Sequence, residues 1–143
     1  MSTSTTNSTE KKIIDGVLSL ITLTDTTIPK LSVYSDQTDQ GTGVITAEVT
    51  NWEQVTPGLP DYTVSVSVSG RTLESEDPNK NIIRVLFDDC RRSLAAFSPS
   101  GVATATNLSC VGILKQTAAS VKSTGADSIF SIDFQLVFTN IQF

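Results

Sequence analysis

Little in this sequence is equipped for covalent chemistry, and what is present is better suited to contacts. The chain has no histidine, which removes the commonest general base and metal ligand and the standard nucleophile–imidazole–carboxylate triad. A Ser–Lys or two-carboxylate mechanism stays open in principle. Either needs a nucleophile or acid held beside a partner in a pocket, and no motif marks one. The run Asp36-Gln37-Thr38-Asp39-Gln40-Gly41 has the opening rhythm of a calcium loop, but it lacks the full spacing and the closing glutamate. Glu74, Glu76 and Asp77 precede a predicted helix, where carboxylates complement the positive end of the helix dipole. Asp88, Asp89, Arg91 and Arg92 read as a solvated helix face that could also meet a second subunit. Cys90 and Cys110 have neither the spacing of a metal knuckle nor that of a redox pair. Two buried free thiols are the preferred reading, with a disulfide left open. No cofactor, metal site or catalytic residue is assigned, and the chain is not expected to be an enzyme.

Composition narrows the partners. The 143 residues carry Lys+Arg 10 against Asp+Glu 15, a net charge of −5. One domain of this length can bury a true core. A mildly acidic chain is a poor match for a phosphate backbone, and its basic residues are scattered except at Lys11-Lys12 and Arg91-Arg92. No apolar run is long enough for a membrane helix. Residues 1–9 are rich in Ser and Thr, lack the basic-then-apolar pattern of a secretory signal, and are expected to form a disordered tail. Residues 10–143 are expected to form one α+β domain.

The elements that must position these residues follow from periodicity. Ile13, Ile14, Val17, Leu18 and Ile21 make one apolar stripe, which predicts a helix over Thr9–Thr22 with Ser8 or Thr9 as its cap. The segment Thr24–Pro29 ends it. Strands are predicted at Leu31–Tyr34 and Val44–Trp52, the second with Ile45, Ala47 and Val49 on one face. Trp52, at the strand end, is expected to pack in the core. Tyr62–Ser69 alternates apolar and hydroxyl residues strictly, as a half-buried strand does. Asp77 as cap and Pro78 at the first helical position predict a second helix to Phe97, stopped by Ser98-Pro99-Ser100-Gly101. A strand from Leu108 to about Val121 and a last one with Phe130, Ile132, Phe134, Leu136 and Phe138 inward close the chain. The predicted order is α-β-β-β-α-β-β: a single antiparallel or mixed sheet with two amphipathic helices on one face.

The polar stretch from Gln116 to Asp127 is expected to project beyond the body and lie on a neighbour. With the two arginines it supplies the candidate subunit interface: Arg91, Arg92, Gln116, Thr117, Val121, Lys122 and Asp127. An edge contact of this head-to-tail kind closes into a ring when its rotation allows.

Several features together resemble one family. They are an N-terminal helix, strands ending in a Trp-containing segment, a long strand of the Tyr62–Ser69 kind leading through an acidic turn into an amphipathic helix, and a final long hairpin. This layout, over residues 10 to 143, is similar to the tail terminator (tail completion) proteins of long-tailed bacteriophages, which have no signature motif. The resemblance implies a virion structural protein assembled in the bacterial cytoplasm. It would form a homo-hexameric ring that stops growth of the tail-tube protein and meets the head–tail connector protein, with DNA only passing through the lumen. Another neck, connector or tail-tube protein, or a non-catalytic ligand-binding module, is the alternative.

Overall fold

The computed structural model describes residues 8–32, 43–114 and 119–143. The predicted tail up to Asn7, the calcium-loop-like run and the end of the first predicted strand lie outside them. The helix α1 spans Thr9–Leu20, and the Ser8 hydroxyl accepts from the Lys11 N–H at 3.1 Å. The chain turns extended at Ile21, where the β-branched, proline-bearing segment cannot continue a helix.

Strands β1 (Lys30–Ser32), β2 (Val44–Gln54) and β3 (Tyr62–Leu73) follow, with β1 parallel to β2 and β2 antiparallel to β3. After helices α2 (Asn81–Ala95) and α3 (Pro99–Thr106) come β4 (Ser109–Leu114), β5 (Lys122–Ser123) and β6 (Asp127–Thr139). These elements form one mixed sheet in the order β1-β2-β3-β6-β4, with β5 pairing on β6. The α+β class and the mixed sheet agree with expectation. The order is α-β-β-β-α-α-β-β-β.

Three sequence readings are corrected. Ser98-Pro99-Ser100-Gly101 does more than stop a helix. The Ser98 hydroxyl accepts from the Gly101 N–H at 3.1 Å and Pro99 occupies the first turn, so the segment starts α3. The second helix begins three residues later than Pro78, because Lys80 is left-handed (φ 58°) and breaks the run. Asp77 still caps it from a distance: its carboxylate accepts from the Ile82 and Ile83 N–H groups at 3.0 and 2.9 Å. Of the predicted strand from Leu108 to Val121, Ser109–Leu114 is strand, with a register shift between Cys110 and Gly112, and residues 119–121 are not; residues 115–118 lie outside the described residues.

The helices cover one face of the sheet. Val64, Val66 and Val68 of β3 and Phe130, Ile132, Phe134, Leu136 and Phe138 of β6 are buried beneath them with Ile13, Ile14, Val17, Ile83 and Leu86. Two glycines make the packing tight. A Cβ on Gly16 would sit 2.5 Å from the Thr106 Cγ2, so its absence lets α1 approach α3. Gly70 lies under the Phe130 ring, 2.2 Å from where its Cβ would be. A bulge between Val49 and Asn51 reverses the alternation of β2 and brings Trp52 to the helix side, opposite Val64. Trp52 is partly buried, as a side chain packing against the core should be, and its Nε1 donates to the Glu10 Oε1 at 3.3 Å.

The other face of the sheet is polar. In-register rows place Glu48 beside Ser67 and Asp133, Asn51 beside Ser65 and Gln135, and Thr46 beside Ser69 and Ser131. The Ser67 and Ser131 hydroxyls are 2.8 Å apart, and the Gln135 Nε2 donates to the Ser65 Oγ at 3.2 Å.

Candidate functional site

The acidic-basic run on α2 divides between inside and outside. Asp88, Arg91 and Arg92 are exposed, but Asp89 is 1% exposed and faces inward, unlike the solvated position expected from sequence. Its carboxylate accepts from the Thr24 N–H at 2.8 Å, the Thr24 hydroxyl at 2.9 Å and the Arg92 Nη2 at 2.6 Å. Burial pushes this carboxyl up, and the Thr24 N–H with the Arg92 and Thr24 side chains outweighs it, holding Asp89 below the ordinary carboxylate value. Asp89 therefore fastens the segment after α1 to α2. Arg92 spends one nitrogen on it and keeps 60% of its side chain in solvent. Arg91 lies over the Phe87 ring, 5.1 Å from its centroid, and makes a long 4.0 Å contact with Asp88.

The hairpin residues take another place. The described part of the stretch expected to project lies against the body. Lys122 pairs with Ile129, and Asp127 pairs with Leu73 at the end of an unbroken β3–β6 register. Val121 is partly buried against the core. The turn at residues 124–126 is closed by Thr124, whose N–H donates to the Asp127 carbonyl at 2.8 Å and whose hydroxyl accepts from the Asp127 N–H at 3.1 Å. The Ser123 hydroxyl donates to Glu74, which also accepts from the Lys80 Nζ at 3.2 Å. Ser123 first, then Lys80, holds the Glu74 carboxyl below its usual range. Gln116 and Thr117 lie outside the described residues. The turn thus sits by the start of α2, while Arg91 and Arg92 lie about 15 Å further along that helix. The candidate residues do not converge on one patch.

Two surfaces were not legible in advance. One is an apolar cavity of about 280 Å³ between the end of α2 and β4, lined by Leu94, Phe97, Ile113, Leu114 and Phe134 among others. The other is an apolar knob at the β2–β3 turn. Val55, Leu59 and Phe143 are exposed there, over a cluster in which the Trp52, Tyr62 and Phe143 rings meet edge-on at 5.4–5.9 Å. The turn is held by Val55 N–H to the Asp61 carbonyl at 2.9 Å, and the C-terminal segment by Ile141 N–H to the Pro60 carbonyl at 2.9 Å. The pairing of the C-terminus with this turn is a long-range event that no local periodicity encodes.

Cys90 and Cys110 are both free and buried. Burial, with a smaller contribution from the Asp89 charge, pushes the Cys90 thiol up to about 12, and burial raises Cys110. Neither is poised as a nucleophile. Among the described residues, no three His, Cys, Asp or Glu side chains are grouped to hold a metal ion, and no helix is long and apolar enough to cross a membrane. No known family model matches the chain, and no curated protein matches its sequence.

Proposed function

We propose that this protein is a virion structural component of the tail-terminator type. It forms a ring, six copies by resemblance, that ends tail-tube polymerisation and joins the tail to the head connector. The observation that carries the reading is the asymmetry of the sheet, set within the element layout that resembles that family. One face is sealed by three helices. The other offers a lattice of hydroxyls with Glu48 and Asp133 at its centre, neither with an ion-pair partner among the described residues, and with Arg71 and Lys122 beside Ile129 toward one end. A hydroxylated wall with an acidic centre suits a passage for DNA, because like charge discourages adhesion there while hydroxyls keep the wall wetted. The function is assembly rather than catalysis. The described side chains fasten elements to each other, as Asp77 and Asp89 do, and the cavity beside β4 is lined mainly by apolar groups.

The first test is negative-stain imaging of the purified protein, alone and mixed with tail tubes of the phage that encodes it. Rings of uniform diameter seated on tube ends are expected. Tubes that keep growing in the presence of the protein would overturn the function.

A further inference from the structure

The knob and the cavity are complementary in both shape class and charge, and we infer that they are two halves of one contact between successive copies of this chain. The inference rests on the ring reading above and assigns its subunit interface. The knob is convex and apolar at Val55, Leu59 and Phe143. Its collar is acidic, with Glu53 exposed on β2 and Asp61 at the turn, where the Asp61 Oδ1 accepts a 3.3 Å bond from the Asn140 N–H. The receiving surface is concave and apolar, between Leu94 and Ala95 at the end of α2, Phe97 just after it, Ile113 of β4 and Phe134 of β6.

Its rim is basic. Arg91 stands one turn before Leu94 and Ala95, which line the cavity, and Arg92 lines the adjoining cleft with Phe97. Both guanidinium groups are largely in solvent, so each has N–H donors left for a partner's carboxylates.

The two halves cannot meet within one molecule. The knob grows from β2 and the cavity from β4, three strands away, or about 14 Å across the sheet. An apolar knob in an apolar cavity, ringed by opposite charges, has the core-and-rim anatomy of protein interfaces. Because the surfaces differ, the contact is heterologous: each copy gives a knob and receives one, and the chain of contacts ends only by closing into a ring.

The test uses two variants changed at exposed positions, so that folding is preserved; matching melting temperatures check this. Leu59→Asp spoils the knob and Ala95→Asp, at an exposed position lining the cavity, spoils the cavity. Each alone should associate roughly 30-fold more weakly than the wild type in sedimentation velocity. Mixed in equal amounts, they retain one good knob and one good cavity between them, so heterodimers should form and nothing larger. Glu53→Arg and Arg91→Glu should each weaken association, and their combination in one chain should restore part of it. Variants that form rings like the wild type would overturn this contact while leaving the ring reading intact. A mixture that stays monomeric, or that grows past dimers, would overturn the head-to-tail pairing. A wild-type chain that remains monomeric at millimolar concentration would overturn the contact, whereas the function is decided separately by tail length.

Discussion

Adding one methyl group at Gly70 tests the packing that makes one side of the sheet a core and the other a wall. The ideal Cβ of Gly70→Ala would lie 2.2 Å from the Phe130 Cε2 and 2.4 Å from its Cζ. Ordinary carbon–carbon contact needs about 3.5 Å or more, so the ring must move by more than an ångström or the β3–β6 ladder must open. The ring has little room to move. Phe130 is 2% exposed and packs against Phe87 with 5.1 Å between centroids. Opening the ladder would disturb a pairing that runs without a break from Tyr62↔Phe138 to Leu73↔Asp127. Overpacking of this kind costs about 1–3 kcal/mol, against which alanine's better strand propensity returns under 1 kcal/mol. For a chain of this length the net loss corresponds to about 2–10 °C in Tm. Differential scanning calorimetry of Gly70→Ala, and of Gly70→Ala with Phe130→Leu, is the assay. The single variant should melt lower and the double variant should recover part of the loss. A single variant that melts at or above the wild-type temperature would refute the close approach of Phe130 to the β3 backbone, and with it this register.

Three further outcomes follow from the same packing. Leu86→Asp places an unpaired carboxylate at a position 2% exposed; it should cost roughly 4 kcal/mol or more and give insoluble or unfolded protein, and a soluble variant with an unchanged circular-dichroism melt would contradict the core assignment. Asp77→Ala leaves the Ile82 and Ile83 N–H groups and the Thr72 hydroxyl without their acceptor. A loss of about 2 kcal/mol in urea denaturation is expected, and Asp77→Asn should lose less because an amide oxygen still accepts. Cys90 contributes to the alkaline limb of stability: its folded value, about 12, lies above the ordinary thiol value of 9.0, so above about pH 9 the unfolded chain releases a proton that the folded chain retains. Stability should therefore be unaffected by this thiol below pH 9 and fall by about 1.4 kcal/mol per pH unit above it, a decline that Cys90→Ala should make shallower.

The fold was legible where burial is written as period. The alternation from Tyr62 to Ser69 and from Phe130 to Phe138 set both central strands and their dry faces, and the stripe through Ile83, Leu86 and Cys90 set the inner face of α2. What escaped lacks such a signature. The α3 helix is Pro-Ser-Gly-Val-Ala-Thr-Ala-Thr, small and weakly amphipathic, and it is held by its caps and by close approach to Gly16 rather than by an apolar stripe. The left-handed Lys80 delayed α2 because lysine carries no sequence signal for positive φ. The site was less legible than the fold. Polarity marked the hairpin after Leu114 as free to project, whereas its described part is drawn back by Ser123, Lys122 and Asp127 onto β6 and Glu74. Arg91 and Arg92 were visible as charges, but the apolar cavity they flank is built from residues 94 to 134, which only the folded sheet brings together.

The proposal that this protein ends a phage tail tube is met most directly by measuring tail length. Under the proposed function the chain is encoded by a phage; its gene is inactivated there and the particles are imaged by electron microscopy, with the wild-type protein supplied in trans as the control. The account predicts tails that overrun their normal length and carry no heads, with both defects corrected by the supplied protein. Tails of normal length joined to heads in the absence of the protein would contradict it.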